Sequence, residues 1–295
     1  MRRVLVVSVA ALIGVMAPAT DAVAAPANGL LAFSRFAAHF GIGTVKPDGT
    51  NLTKLTSSFD FSPTWSPDGM KIAFVRYISR RRTALFLMRP DGTHQHRIYT
   101  YVSHRSCGCE FIQGLDWSPD GEWIAFTWFG ASRNEIWAIP PDGSGLTHLT
   151  DGIKGSQQYP SWSPDGTQIA FQGSRIAGYV GIFTVGASDR TVVYRDYAAQ
   201  PPDWIDATHL IFAGVDRDTC PSCNVELLSI RTDGTGLSAL TDSRIAESQP
   251  KVSPDGAMVA YIRGGDLFAQ PLAGGARTRV TDSEVLEQFP AWQPA

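Results

Sequence analysis

One pentapeptide, W-S-P-D-G, recurs along the chain and constrains the fold more than any other feature. It stands complete at residues 65–69, 117–121 and 162–166, and each copy is followed by an Ile-Ala-Phe tripeptide. Three altered copies centre on Trp204, Val252 and Trp292. Successive copies are 40 to 52 residues apart. A repeat of this length is typical of propellers, in which each unit forms one four-stranded sheet.

A second signature, an Asp-Gly pair, lies late in most repeats, at residues 48–49, 91–92, 142–143 and 233–234. Asp-Gly tolerates the positive φ angles of tight hairpin turns, so both signatures indicate turns between strands. Each repeat therefore reads as four strands, with an Asp-Gly turn after the first strand and another after the third.

The two ends of the chain fit one shared repeat. Leu30-Leu31-Ala32-Phe33 matches the second strand of a unit, and Trp292 belongs to a first strand. Pairing of these strands would close the ring and remove exposed sheet edges. We therefore predict an all-β, six-bladed β-propeller with four antiparallel strands per blade, closed by pairing of the N- and C-terminal strands.

The N-terminus predicts export. Arg2 and Arg3 precede an apolar run over residues 4–16, and small residues end at Ala24. This is the pattern of a signal peptide over 1–24, followed by one propeller domain over 25–295; an uncleaved anchor is the alternative. We expect a periplasmic or extracellular monomer with no membrane span after cleavage. The net charge of −3 gives no reason to expect nucleic acid as a partner.

The repeated motif resembles that of the TolB-like propeller family, and the resemblance covers nearly all of the chain after residue 24. It implies an exported module that binds another protein, without the additional N-terminal domain of TolB. The resemblance does not by itself imply membership of the Tol system, because propellers host unrelated activities on one scaffold.

The candidate site lies where the first strand of each repeat begins, at the predicted mouth of the central channel. In four repeats, a glutamine lies four positions before the motif's tryptophan. In three consecutive blades, an acid lies five positions before that tryptophan or its replacement. These candidates for binding a protein, a peptide or a small polar ligand are Gln113, Gln158, Gln200 and Gln288, with Asp60, Glu247 and Glu287. The alternatives are that the glutamines hydrogen-bond neighbouring blades and that the acids are ordinary solvated loop residues.

The same loop ends carry a basic segment, Arg80-Arg81-Arg82, which is the alternative place for a binding site. The cysteines form two close pairs, Cys107 with Cys109 and Cys220 with Cys223. Because the chain is predicted to be exported, we expect two local disulfides. The alternatives are a reactive dithiol at the first pair and a four-thiolate metal site.

Binding is preferred over catalysis because the chain has neither an H-E-x-x-H nor a G-x-S-x-G motif. We expect no cofactor. The alternative is a metal-dependent hydrolase of gluconolactonase type, with a divalent cation held by acids at the channel mouth.

Overall fold

Twenty-four strands make up the described part of the molecule in a computed structural model, grouped into six sheets of four. The structure describes residues 28–36, 41–104, 110–176, 179–186, 190–196, 199–215 and 224–294. No helix occurs in these ranges, and so none that could span a membrane. The prediction of a six-bladed, all-β propeller is confirmed.

Each blade runs from an innermost strand at the channel to an outermost strand at the rim. Blade 1 consists of β24 (Leu286–Pro294), β1 (Asn28–Phe36), β2 (Gly41–Val45) and β3 (Thr53–Lys54). Blade 2 consists of β4 (Asp60–Trp65), β5 (Ile72–Ser79), β6 (Arg82–Met88) and β7 (His96–Val102). Blade 3 consists of β8 (Phe111–Trp117), β9 (Ile124–Phe129), β10 (Asn134–Ile139) and β11 (Thr147–His148).

The second half of the ring repeats this order. Blade 4 consists of β12 (Ser156–Trp162), β13 (Gln168–Ile176), β14 (Tyr179–Gly186) and β15 (Arg190–Arg195). Blade 5 consists of β16 (Asp203–Asp206), β17 (His209–Gly214), β18 (Glu226–Arg231) and β19 (Ser238–Ala239). Blade 6 consists of β20 (Glu247–Val252), β21 (Met258–Arg263), β22 (Asp266–Pro271) and β23 (Thr278–Arg279).

Closure of the ring rests on blade 1, which joins the two ends of the chain. β24 pairs antiparallel with β1, with Leu31 opposite Trp292 and Ala32 opposite Ala291. All four side chains are buried. The predicted pairing of the terminal strands is confirmed.

The core lies between the sheets. In blade 2, the successive residues Ile72, Ala73 and Phe74 are all fully buried, although alternate residues of a strand point to opposite faces. Both faces are buried because every sheet packs against two neighbours. This explains why the second strand of each repeat is continuously apolar rather than alternating.

The strand order gives the molecule two different faces. On the turn face lie the W-S-P-D-G turns and the outer Asp-Gly turns. In the first complete motif, the Ser66 hydroxyl donates to Asp68 at 2.5 Å and accepts from the Lys71 amide at 2.9 Å. On the loop face lie the connections between strands two and three and those between blades, and here each innermost strand begins.

Candidate functional site at the channel

Five of the innermost strands have an irregular register around the residues two positions before the motif's tryptophan. The residues two positions before the motif's tryptophan surround the axis here, and the void among them measures only about 60 Å³. This ring, which we call the waist, consists of Pro63, Leu115, Pro160, Pro202, Pro250 and Pro290. Proline fits because an innermost strand has one edge with no strand partner and because a bulge interrupts the ladder.

The bulges place residues next to the waist in the left-handed region. Ser62, Tyr159, Gln249 and Phe289 have φ angles of 52 to 57°, and Gly114 has 65°. Side chains of neighbouring blades satisfy their amides: Ser62 accepts from Gly114 at 3.3 Å, and Gln249 accepts from Phe289 at 2.6 Å. Hydrogen bonds of the residues next to the waist thus link blades 6, 1, 2, 3 and 4 in sequence around the ring.

The three predicted acids do not form an open arc at the mouth. Asp60, Glu247 and Glu287 are 0 to 1 % exposed. The sequence predicts carboxylates that a cation or a partner's basic side chain could reach. These three carboxylates are buried instead. Each already has an arginine of this chain beside it.

Those arginines lie directly opposite the acids on the next strand. The register pairs Asp60 with Arg76, Glu247 with Arg263 and Glu287 with Arg35. The Arg76 guanidinium donates to both Asp60 oxygens, at 2.6 and 2.8 Å. Oppositely charged pairs at this distance across a sheet stabilise the pairing of its strands.

Glu247 is held less directly than the other two acids. Its nearest partner is the Thr241 hydroxyl at 2.6 Å, while Arg277 and Arg263 lie 3.4 and 3.7 Å away. Burial raises the pKa of the Glu247 carboxyl above its ordinary value, against the opposing effects of the Thr241 hydroxyl and the two guanidinium groups. The geometry indicates a structural role for this carboxyl.

The four glutamines separate into different environments. Gln158 accepts from Asn134 at 2.8 Å and donates to Gln172 at 2.9 Å, and Gln172 in turn donates to the Ala199 carbonyl of the next blade. Gln158 therefore links blades, as the alternative interpretation predicts. Gln200 lies just before β16 and donates its backbone amide to Ala213.

Gln113 and Gln288 instead line an open cavity of about 380 Å³ on the loop face, which we call the loop-face cavity. Most of its other walls are aromatic, and Phe59 and Tyr77 are exposed at 45 and 38 %. Their rings lie 5.5 Å apart. The remaining lining residues are Phe36, Phe61, Ser79, Arg80, Arg82, Thr83, Glu110, Phe111 and Phe289.

A charged group that the sequence analysis missed lies below the waist, in the mouth of about 520 Å³ on the turn face. The Lys251 ammonium lies 2.8 Å from Asp203 and 3.4 Å from Asp116. The three residues belong to blades 6, 5 and 3. The sequence contains a signal for this group, because all three residues immediately precede the motif's tryptophan or Val252, which replaces it.

Burial governs the charges of this group. It raises the pKa of the Asp116 carboxyl, even though Lys251 acts in the opposite direction. Burial alone would lower the pKa of Lys251, but the two carboxylates outweigh it and raise that pKa. The lysine is therefore a permanent cation that neutralises the carboxylates beside it.

This arrangement bears on the hydrolase hypothesis, which requires several carboxylates free to converge on a metal. At the turn-face mouth the two channel carboxylates hold Lys251, and on the loop face the three acids lie beside arginines. Within the described ranges, no group of three or more metal-ligating side chains comes together. The hypothesis is not favoured.

The four cysteines and residues 1–27 lie outside the described residues, so the disulfides and the signal peptide stay predictions.

Six four-stranded sheets around a central channel define a six-bladed β-propeller. The chain belongs to the PD40 TolB beta propeller domain family, whose model matches residues 32–295.

Known proteins are similar to parts of the chain. A "Protein TolB homolog" of Chlorobium luteolum is 35% identical over 130 residues, which is 43% of this chain and 27% of that relative. A "Tol-Pal system protein TolB" of Alcanivorax borkumensis is 34% identical over 83 residues, 27% of this chain and 17% of its own length. The matched stretches therefore cover less than a third of these relatives.

Among solved structures, TolB from Acinetobacter baumannii superposes with a TM-score of 0.73 at 20% identity. The superposition covers 90% of this chain and 67% of that one. At this identity the likeness shows a shared fold.

Proposed function

We propose that the protein is an exported, non-catalytic binding module that takes a segment of another protein or peptide into the loop-face cavity. The observation that carries this proposal is the cavity itself, because exposed Phe59 and Tyr77 stand there beside the arginine-bearing loop. Large apolar patches on an otherwise polar surface mark interaction sites. Export is inferred from the N-terminal segment.

The composition of the cavity favours a polypeptide over a small polar ligand. Aromatic rings supply most of the wall, and such side chains with arginine are the residues that contribute most to protein interfaces. Gln113 and Gln288 add amide groups that can pair with a peptide backbone. Arg80 and Arg82 can pair with a carboxylate.

The hydrogen bonds and ion pairs around the cavity also favour binding. The linked bulges of the waist and the buried acid–arginine pairs hold the innermost strands in place beneath the cavity. A preorganised surface loses little conformational entropy when a partner binds. In this proposal Asp60, Glu247 and Glu287 support the strands, and Gln113 and Gln288 contact the partner.

Both relatives' names mention TolB, and one of them mentions the Tol-Pal system. The names state no partner, and the protein partner proposed for this chain rests on the loop-face cavity.

Site-specific photo-crosslinking tests the proposal in cells that make the protein. A benzoylphenylalanine probe replaces Tyr77 in the cavity or, as a control, Met70, which is exposed on the turn face of the same blade. We expect a protein adduct from position 77 and none from position 70, and a several-fold lower yield when Arg80→Glu and Arg82→Glu are added. Adducts of equal yield from both positions would place the binding surface elsewhere.

The non-catalytic part of the proposal has its own test. The purified protein is dialysed and its metal content measured by mass spectrometry. We expect far less than one ion per chain, because internal cations hold the clustered carboxylates. One retained divalent ion per chain would instead support the hydrolase.

A further inference from the structure

The outermost strand of blade 2 is the longest of the described outermost strands. β7 has seven residues and β15 of blade 4 has six, whereas the corresponding strands of blades 1, 3, 5 and 6, namely β3, β11, β19 and β23, have two each. We infer that the outer edge of blade 2 is a second binding site, which takes an extended acidic segment of a partner protein as an added fifth strand. This surface lies beside the loop-face cavity, and Arg82 is common to both.

A contact repeated around the ring shows how far β7 extends. The glycine of the next blade's outer Asp-Gly turn lies against a backbone carbonyl near the outermost strand. A Cβ on Gly92 would lie 2.9 Å from the Leu55 carbonyl oxygen, and one on Gly143 would lie 2.5 Å from that of Ile98. In blade 1 the strand ends at Lys54, just before the contact, whereas β7 continues past Ile98 to Val102.

The extension, Tyr99 to Val102, is a strand edge without a strand partner among the described residues. β7 pairs with β6 on one side, and no described strand pairs with its other side. Four residues span about 13 Å, which is enough for a short segment to add by backbone hydrogen bonds. Long edge strands are normally shortened or covered in soluble proteins, so one without a strand partner in the described part of the chain indicates a pairing surface.

An apolar groove lies beside this edge and can receive side chains of the added strand. Tyr99 packs 6.0 Å from Phe126, and Tyr101 packs 6.0 Å from Trp128 of blade 3, measured between ring centroids. The groove has a volume of about 190 Å³, and its other lining residues are Ile112, Trp137 and Leu146. It stays open because β11 pairs with only two residues of β10.

The geometry of a sheet makes the edge and the groove one site. Residues directly opposite each other on neighbouring strands point to the same side. An added residue opposite Tyr99 or Tyr101 therefore points to their side of the sheet, towards the groove. A groove of this size suits one large aliphatic or aromatic side chain.

The charge around the edge selects the partner. Residues 76–104 contain six arginines and one acid, Asp91, in a chain whose net charge is −3. Of these arginines Arg76 is paired with Asp60, and at the edge the Glu110 carboxylate accepts from the Tyr101 hydroxyl at 3.0 Å. Arg97 is exposed before the extension, and exposed Arg82 pairs with Val102 at its far end. An acidic segment would complement this surface. A second copy of this chain, paired edge to edge through β7, would bring the arginines of both copies together.

Because the natural partner is unidentified, the test uses a capped heptapeptide in which glutamate alternates with valine and a central phenylalanine. Binding is followed by fluorescence anisotropy, and its location by amide hydrogen exchange. We expect slower exchange at residues 99–102. A peptide with lysine in place of glutamate is expected to bind at least about tenfold more weakly.

Two controls distinguish strand addition from nonspecific electrostatic attraction between the peptide and the protein. Methylating alternate peptide nitrogens removes donors without changing charge, and only one of the two methylation patterns is expected to abolish binding. Arg97→Glu is expected to weaken binding about tenfold, whereas Lys54→Glu, at the equivalent position of blade 1, leaves it unchanged.

Binding that tolerates both methylation patterns, or exchange protection away from residues 99–102, would overturn the inference. So would a free protein that is already dimeric and protected at these residues. Variants of Arg80 leave this site intact, so failure here is distinguishable from failure of the loop-face cavity.

Discussion

At the scale of single residues, the buried acids show how a pattern can be read in two ways. Asp60, Glu247 and Glu287 stand out as acids at the same repeat position in three consecutive blades. The same three blades carry an arginine two residues after the aromatic of the Ile-Ala-Phe strand, namely Arg76, Arg263 and Arg35. Since these two positions face each other across the sheet, the sequence contained the pairing as well as the acids.

Replacement of Lys251 tests how much the charged group inside the channel contributes to stability. Lys251→Met leaves Asp116 and Asp203 close together without a cation, so we expect a loss of about 3 kcal/mol in the free energy of unfolding. Urea unfolding measures it. Lys71→Met, an exposed lysine on the turn face, is the control and should cost little.

The loss should depend on pH in a defined direction. Burial already raises the pKa of Asp116 above 3.8, and removal of Lys251 raises it further. A carboxyl whose folded pKa is raised adds stability below its unfolded pKa and loses that contribution as pH rises through the folded pKa. The variant should therefore lose less stability near pH 4.5 than near pH 7.5. An equal loss at both values would contradict this account.

At the scale of elements, the outer Asp-Gly turn does more than reverse the chain. Gly143 has a φ of +80° and lies against the Ile98 carbonyl, whereas Gly145 has a φ of +64° with nothing within 4 Å of a built Cβ. Comparing substitutions at Gly143 and Gly145 therefore separates the effect of backbone strain from the effect of contact between blades. The turn glycine is required both for its φ and for the approach of the neighbouring blade.

We therefore expect Gly143→Ala to lower the free energy of unfolding by about 3 kcal/mol and Gly145→Ala by about 1 kcal/mol. The first substitution has both a positive φ and a clash with backbone, while the second has only the positive φ. Midpoints of urea unfolding at an unchanged m-value check the difference. Equal losses would show that the turn does not hold neighbouring blades together.

At the scale of the whole molecule, closure through blade 1 makes the ring cooperative. Deletion of residues 287–295 removes most of β24, including buried Glu287, Ala291 and Trp292. It exposes the inner edge of β1 and the faces of two blades. We expect loss of the cooperative thermal transition, because a domain of this kind has only about 5 to 15 kcal/mol of stability.

A circular permutant provides the control for that deletion. Asn28 pairs with Pro294, so a short linker can join the paired ends while new ends are opened in an exposed turn. This variant keeps β24 next to β1 and should melt close to the parent. Normal melting of the deletion variant in scanning calorimetry would show that closure is not required for stability.

The sequence by itself determined the architecture: six repeats, their turns and the shared blade follow from a motif whose turn chemistry and apolar strands are local. It also singled out Gln113 and Gln288, which line the loop-face cavity. It did not determine which polar residues face solvent, because burial of Asp60 or Glu287 depends on the strand opposite and on the sheet beside it. The Lys251 group and the groove beside Tyr99 arise from blades far apart in sequence, and only the packing of one blade against another brought their side chains together.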